Sequence, residues 1–225
     1  MTAVRLTGLT TGWCLAVDRL VTRTGRLRIV RLPSVAALVE HPSRGALLID
    51  TGYAPRILQA SRRLPYRAYR WATPMRVPPE RSAVRLLAGR GIAASNVGTM
   101  VLTHLHADHI AGLLDFPNAR ILVPDAAWPD RSLRAIAAVR RAILPDLLPP
   151  TLDARIERFA LSDAPCPLEL QTLGPTHDLL GDDSLIAVGL PGHALGQVGV
   201  LLTDESRGLA LLVADALWDR RALDP

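Results

Sequence analysis

Lysine does not occur among the 225 residues, and all 26 basic side chains are arginine. That absence removes two function classes at once. A Schiff-base mechanism needs a lysine amine, and a Walker-type loop needs the lysine that reaches the phosphates. Cysteine is nearly absent as well: Cys14 and Cys166 stand far apart with no metal-ligand spacing. They read as two buried thiols, not as a disulfide, a thiolate metal site or a nucleophile. No uninterrupted apolar stretch approaches the roughly 20 residues of a membrane-spanning helix, which argues against membrane insertion. Thr and Gly punctuate Met1 to Val17 too heavily for a signal-peptide core, so a cytoplasmic location is expected. There is no internal repeat and no low-complexity segment.

What is present fits a globular protein. At 49% hydrophobic and 21% charged residues the chain can bury a real core, and its length favours one domain over residues 1–225. The net charge of +5 invites a nucleic-acid reading. An all-arginine basic set, beside abundant Ala, Leu and Pro, instead points to GC-rich coding bias. The charge is also uneven: residues 1–100 hold 16 arginines and four acids, residues 101–225 ten arginines and 17 acids. The simplest account is that the two halves attract each other within one fold. The rival is a basic rim that guides an anionic substrate, partner or lipid surface.

Along the chain, Val35 to Glu40 and Ala46 to Asp50 are apolar runs joined by a turn-rich link, which predicts a hairpin. Residues 56–90 carry nine arginines with Tyr66, Tyr69 and Trp71, and Pro65, Pro74, Pro78 and Pro79 exclude one long helix there. Glu80 to Arg90 fits a short helix ending at Gly91. Met100 to Thr103 and Ile121 to Val123 are brief apolar strands, and Arg131 to Leu144 has helical spacing. The last third is β-rich, with Ser184 to Leu190, Gln197 to Thr203 and Gly208 to Val213 separated by Gly- and Asp-containing turns. Layered sheets flanked by helices satisfy this α/β pattern.

Chemistry concentrates in Thr103-His104-Leu105-His106-Ala107-Asp108-His109. Four potential ligands, His104, His106, Asp108 and His109, fall within six residues directly after an apolar strand. If Met100 to His106 continues as a strand, His104 and His106 point to one face. Asp108 and His109 then sit in an exposed turn, and the set can serve two adjacent metal positions. Imidazole and carboxylate without thiolate suit Zn, Fe or Mn, and the donor set alone does not choose among them.

The run His104-Leu105-His106-Ala107-Asp108-His109 matches the HxHxDH signature and resembles the metallo-β-lactamase superfamily. Asp50-Thr51-Gly52 looks like that family's early strand-end motif. Pro191-Gly192-His193 looks like its third histidine, and Asp215, after the apolar run Leu209 to Ala214, like its metal-bridging aspartate. The likeness runs from about residue 35 to residue 217. It is most similar to the N-acyl-homoserine lactonase branch, in part through Leu179-Leu180-Gly181-Asp182-Asp183-Ser184. The resemblance implies an αββα sandwich and a two-metal, zinc-type centre. His104, His106 and His193 would hold the first metal, Asp108 and His109 the second, with Asp215 bridging. It further implies hydrolysis of a small carbonyl substrate, a lactone or ester first, by a metal-bound hydroxide, with Asp108 as its catalytic orienting or proton-accepting residue.

The chain departs from the family pattern at its end. The family places a last histidine several tens of residues beyond the bridging aspartate, whereas ten residues follow Asp215 here and none is histidine. The expectation is a fragment lacking the last C-terminal elements, with an incomplete second site and an uncovered apolar sheet face that favours homo-oligomers. His177 is the candidate substitute ligand, and His41 the other spare histidine. Two further readings stay open. One is a phosphodiesterase or nuclease of the same fold, favoured by the arginines of 56–90. The other is a catalytically weak metal-binding paralogue. Lesser expectations are that Asp50 supports a metal-bound histidine or caps its own strand end, and that Tyr53, Tyr66, Tyr69 and Trp71 line a substrate mouth or pack in core and rim. Gly192 and Gly196 are expected to serve backbone turns around His193.

Overall fold

The computed structural model describes residues 2–129, 133–162 and 174–223; Cys166 and Arg131 lie outside them. It opens on a strand that the sequence pattern did not announce, β1 (Ala3–Val17), followed by one helical turn, α1 (Asp18–Val21), and β2 (Ile29–His41). β1 and β2 pair antiparallel from Arg5 with Glu40 to Val17 with Ile29, with one bulge between Thr10 and Gly12. The anticipated hairpin is present: β2 turns through three residues into β3 (Gly45–Ile49). Residues 56–90 then break into α2 (Arg56–Ala60), α3 (Arg67–Ala72), the two-residue β4 (Met75–Arg76), a 3-10 turn at Pro79–Arg81 and α4 (Ala83–Ala88). The prolines divide this segment as expected.

Three parallel strands follow: β5 (Val97–Val101), β6 (Arg120–Pro124) and β7 (Ile156–Phe159). Between them lie α5 (Ala107–Ile110) and α6 (Ala135–Arg140). The described part of the Arg131 to Leu144 segment is thus helical only over six residues. The remaining strands, β8 (Thr176–Asp178), β9 (Leu185–Gly189), β10 (Val198–Asp204) and β11 (Gly208–Leu212), pair antiparallel. β1 joins the two sheets. Its first residues run parallel to the end of β10 at Ala3 and Val4, and the rest runs along β2 in the order β7-β6-β5-β3-β2-β1.

Alternation along the strands sorts side chains into two layers. Leu38, Leu48, Met100 and Ile121 face the helices, packing with Ile57, Leu87, Ile110 and Phe116. Their neighbours Val39, Leu47, Val101 and Leu122 face the second sheet and meet Leu185, Ala187, Val198 and Val200. The architecture is an αββα sandwich. On the outer face of the second sheet Ile186, Val188 and Leu201 are buried together, so those side chains are not the bare patch expected from the short end. Cys14 is a free thiol but only half-buried, against the expectation of full burial. Burial, then the Asp108 carboxylate, push it up to about 11, which leaves it protonated near neutrality.

Ion pairs link the basic first hundred residues to the acidic remainder: Arg5 with Glu205, Arg44 with Asp182, Arg56 with Asp115. Arg221 reaches back to the buried Asp18 at 2.8 Å. Attraction between the two halves therefore accounts for part of the charge asymmetry.

Asp204, at the turn between β10 and β11, ties the sheets together. It accepts hydrogen bonds from the backbone N–H of Leu6, Ser206 and Arg207 and from the Ser206 hydroxyl. The Ser206 hydroxyl first, then the Leu6 N–H, hold its carboxyl down to about 2, against 3.8 ordinarily. A lowered folded-state pKa stabilises above the unfolded value and is lost as pH falls through the folded one. Thermal melts should therefore show the parent protein losing stability between about pH 4 and pH 2. Asp204→Asn should melt lower at pH 7 and fall less steeply across that window. Parallel pH curves for the two proteins would contradict this role.

Candidate metal centre

Three chain segments meet at the ends of β3 and β5, where parallel strands leave an open crevice. β3 stops at Ile49, and Asp50 follows with φ of 57°, its N–H bonded to Val101 O at 2.8 Å. The Asp50 carboxylate is buried and accepts three hydrogen bonds: Thr103 N–H at 2.9 Å, Thr103 hydroxyl at 2.7 Å and His109 Nδ1 at 2.7 Å. Of its two expected roles it takes the first, bracing a candidate ligand, and it bonds outward to Thr103 and His109. Thr51 adds a second tie, its N–H and hydroxyl both donating to His109 O while its oxygen accepts the Gly112 N–H. Gly52 has φ of 64°, and a Cβ there would meet the Thr11 hydroxyl at 2.2 Å. That hydroxyl is needed in place, because it accepts the Tyr53 N–H. The Asp50-Thr51-Gly52 motif is thus a clamp in which each residue has its own task.

The strand does not continue to His106. β5 ends at Val101, residues 102–106 form a connecting loop, and α5 begins at Ala107. The reason is local: Leu102 N–H still pairs with Leu122 O, but Thr103 N–H turns to the Asp50 carboxylate instead. His104 and His106 converge through this loop and not through strand alternation. Asp108 is likewise no exposed turn residue. It lies half-buried in the first turn of α5, and its Oδ1 accepts the Tyr69 hydroxyl at 3.3 Å.

All six anticipated residues lie together. His104, His106, His193 and Asp215 each offer one donor atom within 4.8 Å of the others, and Asp108, His109 and Asp215 form a second such group. His193 comes from the turn after β9 and Asp215 from the turn after β11. His193 Nε2 lies 2.8 Å from His106 Nδ1 and 3.2 Å from Asp215 Oδ2. His109 Nε2 lies 3.3 Å from Asp215 Oδ1 and 3.8 Å from Asp108 Oδ2. The two groups share Asp215, which faces both. Gly196, with φ of 65°, lets this turn pass against the backbone of Ala127, a turn role as expected.

Hydrogen bonding fixes the ring nitrogens. The Thr103 hydroxyl donates to Asp50, so it accepts from His104 Nδ1 at 3.0 Å. His104 Nε2 is left as a bare acceptor, buried with no hydrogen-bond partner. His109 donates from Nδ1 to Asp50 and also turns Nε2 inward. A buried nitrogen lone pair without a donor is what a metal ligand requires, and its second-nitrogen anchor is the usual companion of such a ligand. Burial is the main influence on His104 and His106, with neighbouring imidazoles adding to it. It drives His104 far toward the neutral form and brings His106 down to about 3. Burial disfavours charge on Asp215, yet hydrogen bonds from His109 and His193 outweigh it and hold the carboxyl ionised. Burial also opposes a charge on His109, but Asp50 and Asp108 outweigh it and raise that imidazole. Neutral His104 and His106 beside an ionised Asp215 suit a divalent cation, which on binding would replace the proton that His109 holds.

A cavity of about 1000 Å³ opens from this cluster, walled mainly by apolar side chains including Leu32, Val35 and Leu211. Tyr53, Tyr69 and Trp71 all line it, Tyr53 and Tyr69 buried and Trp71 exposed at the mouth. Tyr66 packs against the helical core. Trp218, edge-on to His193 at 5.4 Å, joins the wall. Thr103 and Trp218 were not anticipated from sequence, although one adjoins His104 and the other lies three residues past Asp215. The spare histidines are elsewhere: His177 stacks on Phe159, and His41 sits against Asp182. His177 therefore does not complete either donor group.

The family model of the metallo-beta-lactamase superfamily matches residues 29–219. The chain belongs to the metallo-beta-lactamase superfamily. A probable metallo-hydrolase of Mycobacterium bovis is 31% identical over 150 residues, 64% of this chain and 44% of that protein. The chain thus spans less than half the length of this curated relative. An N-acyl homoserine lactone hydrolase, solved with N-hexanoyl-L-homoserine at its catalytic metal centre, superposes with a TM-score of 0.75. It is 19% identical, covering 100% of this chain and 80% of the other. A dizinc quorum-quenching lactonase, AidC, superposes with a TM-score of 0.59 at 16% identity, over 92% and 69% of the two chains. At such identities these superpositions establish the shared superfamily fold.

Asp50 is the partner whose loss should be felt most. Removing one member of a buried, hydrogen-bonded charged pair typically costs about 3–5 kcal/mol, so Asp50→Ala should fall in that range in urea unfolding. Asp50→Asn, which keeps the shape and one acceptor, should lose less. A loss under about 1 kcal/mol for the alanine variant would mean that the clamp is not under load.

Proposed function

We propose that this chain is a metal-dependent hydrolase of carbonyl substrates, a lactone or ester first, with zinc as the metal. His104, His106 and His193 would hold one ion and Asp108 and His109 a second, with Asp215 shared between them. The observation that carries this reading is the pair of donor groups meeting at Asp215, one of them containing a buried, partnerless His104 Nε2. A bound pair of divalent ions supplies Lewis acidity toward the carbonyl oxygen and a water acidified to near neutrality.

The protein's own residues do the rest. Asp50 and Thr103 hold the imidazoles of His104 and His109 in the tautomer that faces the centre. The Tyr69 hydroxyl pins one Asp108 oxygen at 3.3 Å, leaving the other to orient a water or take its proton. The apolar walls of the cavity exclude bulk water and accept the hydrocarbon part of a substrate. The lactone preference draws on the lactonases that share the fold, and the apolar cavity agrees with an acyl substituent. The first donor group has four residues and the second three, so the two sites should differ in affinity.

Elemental analysis after dialysis should find close to one tightly held ion per chain and a second that is lost more readily. His104→Ala should lose metal and turnover together. Asp108→Ala should keep its fold while hydrolysis drops by about 100- to 10,000-fold. A dialysed protein with no metal, or an Asp108→Ala variant at the parent rate, would overturn the proposal.

A further inference from the structure

A second cavity, of about 650 Å³, adjoins the first and shares the walls Leu15, Trp71 and Pro74 with it. Its polar lining is arginine: Arg62, just beyond α2, Arg67 and Arg70 on α3, and Arg76 on β4. Spacing on α3 accounts for part of the grouping, because positions three and four apart share a helix face. Arg67 also lies over the Trp71 ring at 5.4 Å, which fixes one guanidinium beside the shared wall. Some arginines elsewhere, Arg5, Arg28, Arg44, Arg56, Arg120, Arg158 and Arg221, pair with a carboxylate, and others, such as Arg81, Arg90 and Arg155, bond backbone carbonyls. Among the described residues none of the four cavity arginines has a carboxylate within salt-bridge reach. Four like charges in one concavity repel each other and concentrate positive potential there.

Guanidinium groups present forked donors that match the oxygens of carboxylate and phosphate. The neighbouring cavity supplies an apolar passage from this cluster to His106, Asp108 and His193. We propose that the arginine cavity is an anion-binding subsite for the substrate. The substrate is then an amphiphile with its scissile carbonyl at the metal centre, an apolar stretch along the shared wall, and a carboxylate or phosphate at the arginines. This rests on the hydrolase reading for the identity of the reacting end, whereas the subsite itself rests on the second cavity alone. It gives the excess positive charge of the first hundred residues a task that the ion pairs between the two halves leave unfilled.

The direct test is calorimetry on the protein as purified, with octyl phosphate below its micelle concentration, octyl glucoside and inorganic phosphate. Octyl phosphate should bind at least about tenfold more tightly than either of the others, since each lacks one half of the recognition. Lengthening the alkyl chain from butyl to octyl should tighten binding by up to about fourfold per buried methylene. Arg62→Gln with Arg70→Gln, both exposed and outside the core, should weaken octyl phosphate binding by about tenfold or more. The same pair should raise KM for an ester bearing a terminal carboxylate and spare kcat, leaving its neutral counterpart of equal length nearly unaffected. Unchanged octyl phosphate binding by the double variant would overturn the proposal, as would inorganic phosphate binding as tightly as octyl phosphate. Arginine-dependent sedimentation with phosphatidylglycerol vesicles, without binding of monomeric octyl phosphate, would overturn it in favour of a lipid-surface contact. If no ester of either kind is hydrolysed but the calorimetric pattern holds, the subsite stands and the hydrolase reading falls.

Discussion

A carboxylate buried at the end of a strand is unfavourable unless donors surround it, and Asp50 has three around it: the Thr103 N–H, the Thr103 hydroxyl and the His109 ring. The rest of the site depends on that arrangement. It stops β5 at Val101 by taking the Thr103 N–H out of the sheet. It holds the first turn of α5 against the end of β3. Through the Thr103 hydroxyl it also decides which nitrogen of His104 carries the proton. One side chain thus sets the position and the tautomer of two imidazoles, His109 directly and His104 through Thr103.

The sheets supply the other half of the convergence. β3 and β5 run parallel, so both deliver their connecting loops to the same end of the sandwich. The second sheet brings His193 and Asp215 to that end through the turns after β9 and β11. Asp215 stays ionised among His109, His193 and His104 despite its burial, and it is the only residue in both donor groups. The cluster is therefore electrostatically unfinished by itself: the neutral His104 and His106 rings crowd against the ionised Asp215, and the proton on His109 offsets the carboxylates around it. A divalent cation resolves that conflict with the chemistry of the donors present.

Much of this was legible in the sequence because ligand chemistry leaves short-range marks. Core packing alone rarely places four ligand-type residues in six positions directly after an apolar run, and family resemblance located His193 and Asp215. The alternating strands of the last third were equally readable. The misses have physical causes. β1 is rich in Thr and Gly and its inward residues are not uniformly apolar, so its 15-residue length left little periodic signal. The strand through His106 failed because a tertiary hydrogen bond from the Thr103 N–H to Asp50, 53 residues away, overrides the local pattern. Asp108 read as exposed because nothing near it in sequence announces that Tyr69 covers it. The arginines of 56–90 were conspicuous as composition, but their meeting in one cavity depends on how the prolines divide the segment.

Asp50 presets which nitrogen His104 and His109 turn inward, and loading ¹⁵N-labelled protein with cadmium-113 and mapping scalar couplings to the imidazoles tests this most directly. The account predicts an uneven pattern: coupling through Nε2 of His104, His109 and His193, but through Nδ1 of His106, whose Nδ1 faces His193 Nε2 at 2.8 Å. The Nδ1 protons of His104 and His109 should persist in the loaded protein. Coupling through Nδ1 of His104 or His109, or the same nitrogen used by all four rings, would contradict the account.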